Sequence, residues 1–328
     1  MNTHLTAQFE LSGLNMNSPP AGPIPARAGA RHEHVPDLNS DYVVPRTTLS
    51  DFVLWWSYSE PKEGFWLFGP TGSGKSEFIR AMASHLNIPL YEATGFWDLD
   101  VQDLITQRSL AGGNTVTIRG PLAKAMAEGG WFMMNELDRC NPESLVALNE
   151  FGSKITLLDS GGKLLEPHAD FRFIVTANSG GMEDRNGHYG AKMMDLSFTD
   201  RFTFSRMLYP DDATTARILK QAVPNLTDQI TPYLITIANE VRAAFYPLDE
   251  GGNEQTSRIR ITVSTRNLIR WARYLTWAYQ VNEIENPVTH AFDRAIGLKA
   301  PAQCRAAVHS FIQRVFGDDQ KNPKPLVS

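Results

Sequence analysis

Gly69-Pro70-Thr71-Gly72-Ser73-Gly74-Lys75-Ser76 decides the fold of this chain. The eight residues satisfy G-x-x-x-x-G-K-[ST], and their setting matters as much as their letters. Phe65-Trp66-Leu67-Phe68 upstream reads as a buried strand. Phe78, Ile79, Met82 and Leu86 downstream recur at helical spacing, which predicts a helix starting near Gly74. Strand, glycine-rich turn and helix is the order that wraps backbone N–H groups around a phosphate, backed by the partial positive charge of a helix N-terminus. Gly69, Pro70, Thr71, Gly72, Ser73 and Gly74 form the cradle, Lys75 is placed for the β- and γ-phosphates, and the Ser76 hydroxyl is placed for Mg²⁺. A chance lysine after a glycine-rich turn rarely brings both flanks with it, so a nucleoside-triphosphate site is expected.

The rest of the chain has room for such a domain and more. At 328 residues it suffices for one large domain or two modest ones, and 42% hydrophobic with 20% charged residues is ordinary globular composition. A net charge of −5 offers no electrostatic case for nucleic-acid binding. The two cysteines, Cys140 and Cys304, form neither a zinc-type pair nor a disulfide framework, so a reducing, cytoplasmic setting is expected. Residues 1–14 lack a basic segment followed by an apolar run, and no stretch approaches a membrane-spanning length.

Taken in order, residues 1–35 are rich in proline, glycine and alanine without sustained periodicity and read as a flexible arm. His32 and His34 within it lack a third ligand nearby and read as solvated chain. Tyr42 and Val43 read as core at a domain edge, and Thr48 with Asp51 suggests a capping box ahead of Phe52–Trp56. Pro89–Ala93 reads as a second strand, and Phe96–Gly120 as a short helix with a hairpin insert turning at Gly112-Gly113. Gly130-Trp131-Phe132-Met133-Met134-Asn135-Glu136 marks the end of a buried parallel strand, the place where α/β sheets put their ligands. Glu136 suits the base that polarises an attacking water. Asn135 stands where an aspartate usually helps to hold Mg²⁺; the amide removes one negative charge, so weaker cation binding or slower turnover is expected. Asn141-Pro142 opens a helix. Asp159-Ser160-Gly161-Gly162 turns a hairpin, and Phe171–Asn178 is another strand whose tip, Asn178, falls at the same sheet edge as Glu136. His188 and Tyr189 lie in a glycine-rich loop without ligand spacing. Asp200-Arg201 precedes a last strand. Beyond Asp211 the pattern is helical, with a possible exception at Ile259–Val263, and Arg266 opens one of those helices.

This ordered series resembles the AAA+ ATPases, specifically their MoxR branch and the CobS-like ATPase subunits of cobaltochelatase. The resemblance rests on Gly69–Ser76, Gly120-Pro121-Leu122 ahead of Trp131–Asp138, Ile155–Asp159 with Pro167-His168, Phe171–Asn178, Asp200-Arg201 and, more loosely, Ser264-Thr265-Arg266. It implies an α/β P-loop fold, a five-stranded parallel sheet sandwiched by helices and followed by a small all-helical lid. The divisions are then an arm over 1–35, a nucleotide-binding domain over 36–210 and a lid over 211–328. It also implies Lys75 and Ser76 at the Walker A positions, Asn135 and Glu136 at Walker B, Asn178 as sensor 1, Arg266 as sensor 2, and Arg201 as an arginine finger reaching a neighbouring subunit's nucleotide. A homo-oligomeric ring, commonly hexameric, follows, with a protein partner that in related systems often bears a von Willebrand A domain. The Phe96–Ile118 insert and the Gly161-Gly162 hairpin would project toward partner or pore. The nucleotide expected is ATP, since no Asn-Lys-x-Asp guanine-reading motif occurs. The function expected is an ATP-driven remodelling motor. The rivals are a restriction-type motor on nucleic acid, against which the net acidity weighs, and a structural ring with weak hydrolysis, which Asn135 motivates.

Overall fold

The computed structural model describes residues 4–111, 114–149, 151–157, 163–182, 192–245, 259–317 and 320. The chain divides into two compact units, Met1–Leu208 and Tyr209–Ser328. The first opens with β1 (Ala7–Glu10), β2 (Pro23–Ala26) and α1 (Arg46–Tyr58). Strand β3 (Gly64–Phe68) leads through the glycine-rich loop into α2 (Lys75–His85), followed by β4 (Leu90–Thr94) and α3 (Val101–Ile105). Next come the antiparallel pair β5 (Thr106–Ala111) and β6 (Asn114–Arg119), then α4 (Pro121–Glu128), β7 (Trp131–Asn135) and α5 (Pro142–Leu145). A second antiparallel pair, β8 (Ile155–Leu157) and β9 (Lys163–Leu165), precedes β10 (Arg172–Ala177), α6 (Leu196–Thr199) and β11 (Phe202–Arg206).

The five strands expected from the sequence form one sheet, ordered β11-β3-β10-β7-β4 and parallel at every pairing. Parallel strands covered on both faces must be apolar throughout, and Phe65, Trp66 and Leu67 in β3 and all of β10 are buried. The chain runs from β3 to the edge strand β4, returns through β7 and β10, and then places β11 on the other side of β3. Strand order therefore reverses at β3, and the carboxyl ends of β3 and β10 bound the crevice where such sheets take ligands.

The N-terminal stretch corrects the expectation of a flexible arm. Residues β1 and β2 pair in register from Ala7↔Ala26 to Glu10↔Pro23. Leu11, Leu14, Met16 and Ile24 are buried in one cluster with Phe52, Trp56 and Ile79. The Trp56 indole N–H donates to the Pro25 carbonyl at 2.8 Å, and the His4 amide donates to Asp170 Oδ2 at 2.6 Å. Prolines and glycines here shape a hairpin whose larger apolar side chains, Leu11, Leu14, Met16 and Ile24, are buried against the domain. Helix α1 differs too: it begins at Arg46 after Pro45, so Thr48 is a buried interior residue and Asp51 accepts from the Ser205 hydroxyl at 2.6 Å instead of closing a capping box. Asn141 caps α5 by accepting from the Glu143 amide, but α5 gives way to a 3₁₀ turn at Val146–Leu148. Gly112-Gly113, Asp159-Ser160-Gly161-Gly162, His188 and Tyr189 lie outside the described residues.

The second unit comprises α7 (Asp212–Ala222), α8 (Thr231–Phe245), α9 (Thr265–Ala278), α10 (Pro287–Ala295) and α11 (Ala302–Phe316). Leu234, Val241, Leu268, Trp271, Leu275, Phe292 and Ile312 bury the apolar stripes that helical spacing announces. Ile259–Val263 forms no strand; the Val263 carbonyl instead accepts from the buried Arg242 guanidinium at 2.8 Å. Among the described residues no helix is long and apolar enough to cross a membrane.

Candidate functional site

The loop after β3 owes its shape to glycine. Gly69, Gly72 and Gly74 hold φ of 149°, 69° and 102°, backbone that L side chains rarely adopt. At Gly69 a Cβ would also fall 2.0 Å from the Met207 carbonyl oxygen, so no larger residue fits between β3 and the end of β11. The Tyr42 ring packs against Gly74, with its hydroxyl 3.5 Å from the Gly74 carbonyl.

Lys75 opens α2 with its Nζ donating to Gly69 O at 2.8 Å, Pro70 O at 3.1 Å and Asn178 Oδ1 at 3.1 Å. Burial pushes its ammonium down to about 8, opposed by the carboxylates of Asp138 and Glu136. Beside it, Ser76 Oγ donates to Asn135 Oδ1 at 2.5 Å and lies 3.4 Å from Thr176 Oγ1, which itself donates to Asn135 Oδ1 at 2.9 Å. Register explains the meeting: Thr176 of β10 is the cross-strand partner of Asn135 in β7. Three hard oxygens thus cluster beneath the cradle. Among the described residues no group of three His, Cys, Asp or Glu side chains could hold a metal. A cation bound by hydroxyl, amide oxygen, water and phosphate, as Mg²⁺ prefers, fits this donor set.

Glu136 follows β7 in the left-handed region, with φ 53° and ψ 38°. For a residue with a Cβ that conformation costs about 1–2 kcal/mol. It turns the chain off the sheet at the ligand edge, and Gly95 must lack a side chain there because its Cβ would fall 2.5 Å from the Glu136 carbonyl oxygen. The half-exposed Glu136 carboxylate pairs with Arg139 Nε at 2.8 Å. Asp138, two residues on, is 1% exposed and accepts the backbone N–H groups of Asn178 and Ser179 at 2.8 and 2.9 Å. Burial raises its carboxyl above the usual range despite those bonds. Asp138 therefore pins the backbone that carries Asn178.

The sequence-derived residues divide into three groups. Lys75, Ser76, Asn135 and Asn178 form one hydrogen-bonded set, and Glu136 lies near enough for its charge to act on Lys75. Arg201 stands elsewhere. Phe202 pairs with Gly64 and Arg206 with Phe68, so Arg201 sits at the amino end of the sheet, whereas the loop leaves the carboxyl end. At about 3.3 Å per strand residue it lies on the order of 20 Å from its own phosphate cradle, further than an arginine side chain spans. Arg266 belongs to the second unit, exposed in the first turn of α9, where Ser264 Oγ caps the Asn267 amide at 3.2 Å. Reading the sequence missed Asp138, Thr176 and Glu92, the last of which accepts from Asn135 Nδ2 at 3.1 Å. Only the alternation of acids after β7 hinted at the first; the other two enter through cross-strand neighbours that linear spacing does not reveal.

Both units of the chain match known protein families. Residues 64–202 match the AAA domain of the dynein-related subfamily, and residues 216–315 match the C-terminal domain of CbbQ, NirQ and NorQ. The denitrification regulatory protein NirQ of Stutzerimonas stutzeri is 27% identical over 204 residues, covering 62% of this chain and 70% of its own. Protein NorQ of Paracoccus denitrificans is 28% identical over 235 residues, 71% of this chain and 83% of its own. The aerobic cobaltochelatase subunit CobS of a Sinorhizobium species is 24% identical over 307 residues, 88% of this chain and 85% of its own. With the reversed five-stranded sheet, the glycine cradle and the helical unit in place, this chain belongs to the AAA+ ATPases of the MoxR branch.

Proposed function

We propose that this chain binds ATP with Mg²⁺ and hydrolyses it to ADP and phosphate, as a ring-forming motor that remodels or activates a partner protein. The observation that supports this best is the shared set Lys75–Asn178 and Ser76–Asn135–Thr176 at the crevice between β3 and β10. Each of these polar groups now satisfies another, and each can exchange that partner for phosphate, cation or water without backbone movement. Lys75 would release the loop carbonyls and bond the β- and γ-phosphates, gaining back the charge that burial disfavours. Ser76 and Asn135 would hold Mg²⁺, which when bound offsets charge on the phosphate oxygens. Glu136 serves as the base that takes a proton from the attacking water, after exchanging Arg139 for it, and Asn178 orients that water.

Two further roles concern assembly. Arg201, too far from its own cradle, acts on the nucleotide of an adjacent copy, which makes a lone subunit a poor catalyst and a ring, hexameric in the simplest case, the working form. Arg266 serves as a second phosphate sensor from the helical unit. One relative is named a subunit of cobaltochelatase and another a denitrification regulatory protein, which supports an ATPase serving another protein's activity. A partner with a von Willebrand A domain is the first to try. The test is phosphate release by wild type and Glu136→Gln, with nucleotide binding measured on both. Turnover in the wild type that drops about 10²–10⁴-fold in the variant while binding persists supports the reading. Binding without turnover in either protein favours the weakly hydrolysing ring that the amide at Asn135 suggests.

A further inference from the structure

An asparagine at the cation side of a phosphate site raises a problem that an aspartate never meets. A carboxylate presents oxygen whichever way it rotates, whereas an amide presents oxygen one way and a hydrogen-bond donor the other. With Nδ2 toward Ser76, Asn135 would turn two N–H bonds on the position a cation must occupy. Something has to choose the face.

Glu92 is placed to do this. It lies on β4, two residues before Thr94, the cross-strand partner of Asn135, and so on the same face of the sheet as its diagonal neighbour. Asn135 Nδ2 donates to Glu92 Oε2 at 3.1 Å. An ionised carboxylate only accepts, so the amide nitrogen must face β4 and Oδ1 must face Ser76 and Thr176. Glu92 is itself held by Arg80, whose Nε and Nη2 reach its two oxygens at 2.9 and 2.6 Å. Arg80 stands four residues after Ser76 on α2, so the helix that carries the cation-side hydroxyl also anchors the carboxylate that aims the amide.

We infer that Glu92, locked by Arg80, is a positioning residue that turns the Asn135 carbonyl oxygen toward the cation site, and that Asn135 and Glu92 work as a matched pair. The inference rests on the Mg-nucleotide reading above. It predicts that the effect of losing Glu92 depends on which residue stands at 135. With Asn135 present, Glu92→Leu frees the amide to rotate and weakens the cation. In an Asn135→Asp background the same substitution removes a carboxylate facing another carboxylate and does not weaken it.

The experiment measures Mn²⁺ affinity by electron paramagnetic resonance on the full chain with a non-hydrolysable ATP analogue, alongside fluorescent-nucleotide binding in EDTA. Glu92→Leu is expected to lower Mn²⁺ affinity about 10-fold, the scale of lost support around a metal ligand. Glu92→Gln, whose amide oxygen Arg80 can still hold toward Nδ2, guards against a folding artefact and is expected to lose less Mn²⁺ affinity than Glu92→Leu. The double variant Asn135→Asp/Glu92→Leu is expected to bind Mn²⁺ at least as tightly as Asn135→Asp alone. Equal losses from Glu92→Leu in both backgrounds, or no loss in either, overturn the pairing while nucleotide binding stands. Absence of nucleotide binding in wild type overturns the underlying reading instead.

Discussion

The two ends of the central sheet use similar chemistry to opposite purposes. At the carboxyl end Lys75 is buried with its ammonium held down to about 8, and its partners are loop carbonyls and the Asn178 amide. At the amino end Arg172 is 6% exposed, depressed to about 10 by burial, and bonded to Ser59 Oγ and O and to the carbonyls of Ala169 and Phe171. Its guanidinium also lies 5.5 Å over the Trp56 ring. Both cations are desolvated, and their hydrogen bonds go to carbonyl, amide and hydroxyl oxygens while nearby carboxylates act on them through charge. Arg172 gives its donors to the carbonyls of Ser59, Ala169 and Phe171 and to Ser59 Oγ, so it serves as a rivet between β10 and the end of α1. The partners of Lys75 sit at a crevice and can be traded for a ligand. Burial alone does not tell a functional charge from a structural one; the replaceability of its partners does.

The largest effect that would break this comparison concerns the third cation, Arg201. If it serves a neighbour, Arg201→Ala should lower ATP turnover by about 10³–10⁵-fold while leaving nucleotide binding intact. Mixing it with Lys75→Ala subunits should restore part of the activity, because each supplies what the other lacks. Loss of binding together with turnover, or failure of the mixture, would return Arg201 to a structural role. Next comes stability. Arg172→Met strands several buried carbonyls at about 1–3 kcal/mol each, and a net loss of about 3–5 kcal/mol in urea unfolding is expected, with nucleotide affinity retained by the protein that remains folded. Lys75→Met should do the reverse, abolishing nucleotide binding with apo stability within about 1 kcal/mol of wild type.

The smallest effect is a pH dependence with two opposite signs. Because the folded-state value of Lys75 is depressed to about 8 from 10.5, the unfolded chain binds more protons between those limits. Apo stability gains from this group as pH rises through that window. Phosphate binding must recapture the proton, so nucleotide affinity should fall above pH 8, by at most about tenfold per unit. Calorimetry at pH 8.5 in buffers of different ionisation enthalpy should register proton uptake on binding, and its absence would place the Lys75 proton outside the binding event.

Much of the site was legible because its parts are local. Gly69–Ser76 encodes its own turn, and strand tips such as Asn135-Glu136 and Asn178 announce themselves where an apolar run stops. The packed N-terminal hairpin was not legible: Leu11, Leu14, Met16 and Ile24 are too sparse among prolines and glycines to show a period, and their burial depends on Phe52 and Trp56 arriving from α1. Glu92 and Thr176 were invisible for a similar reason, since their bearing on Asn135 comes from register across strands far apart in the chain.

By itself, then, the sequence determined the glycine cradle, the five strands and the helical second unit, because backbone propensity and hydrophobic period act over a few residues at a time. Only the tertiary structure decided which way the Asn135 amide faces, that Asp138 holds the backbone of Asn178, and that Arg201 stands at the far end of the sheet from its own cradle. Those outcomes depend on hydrogen bonds and strand pairings between distant segments, whose energies exist only once the sheet has closed around them.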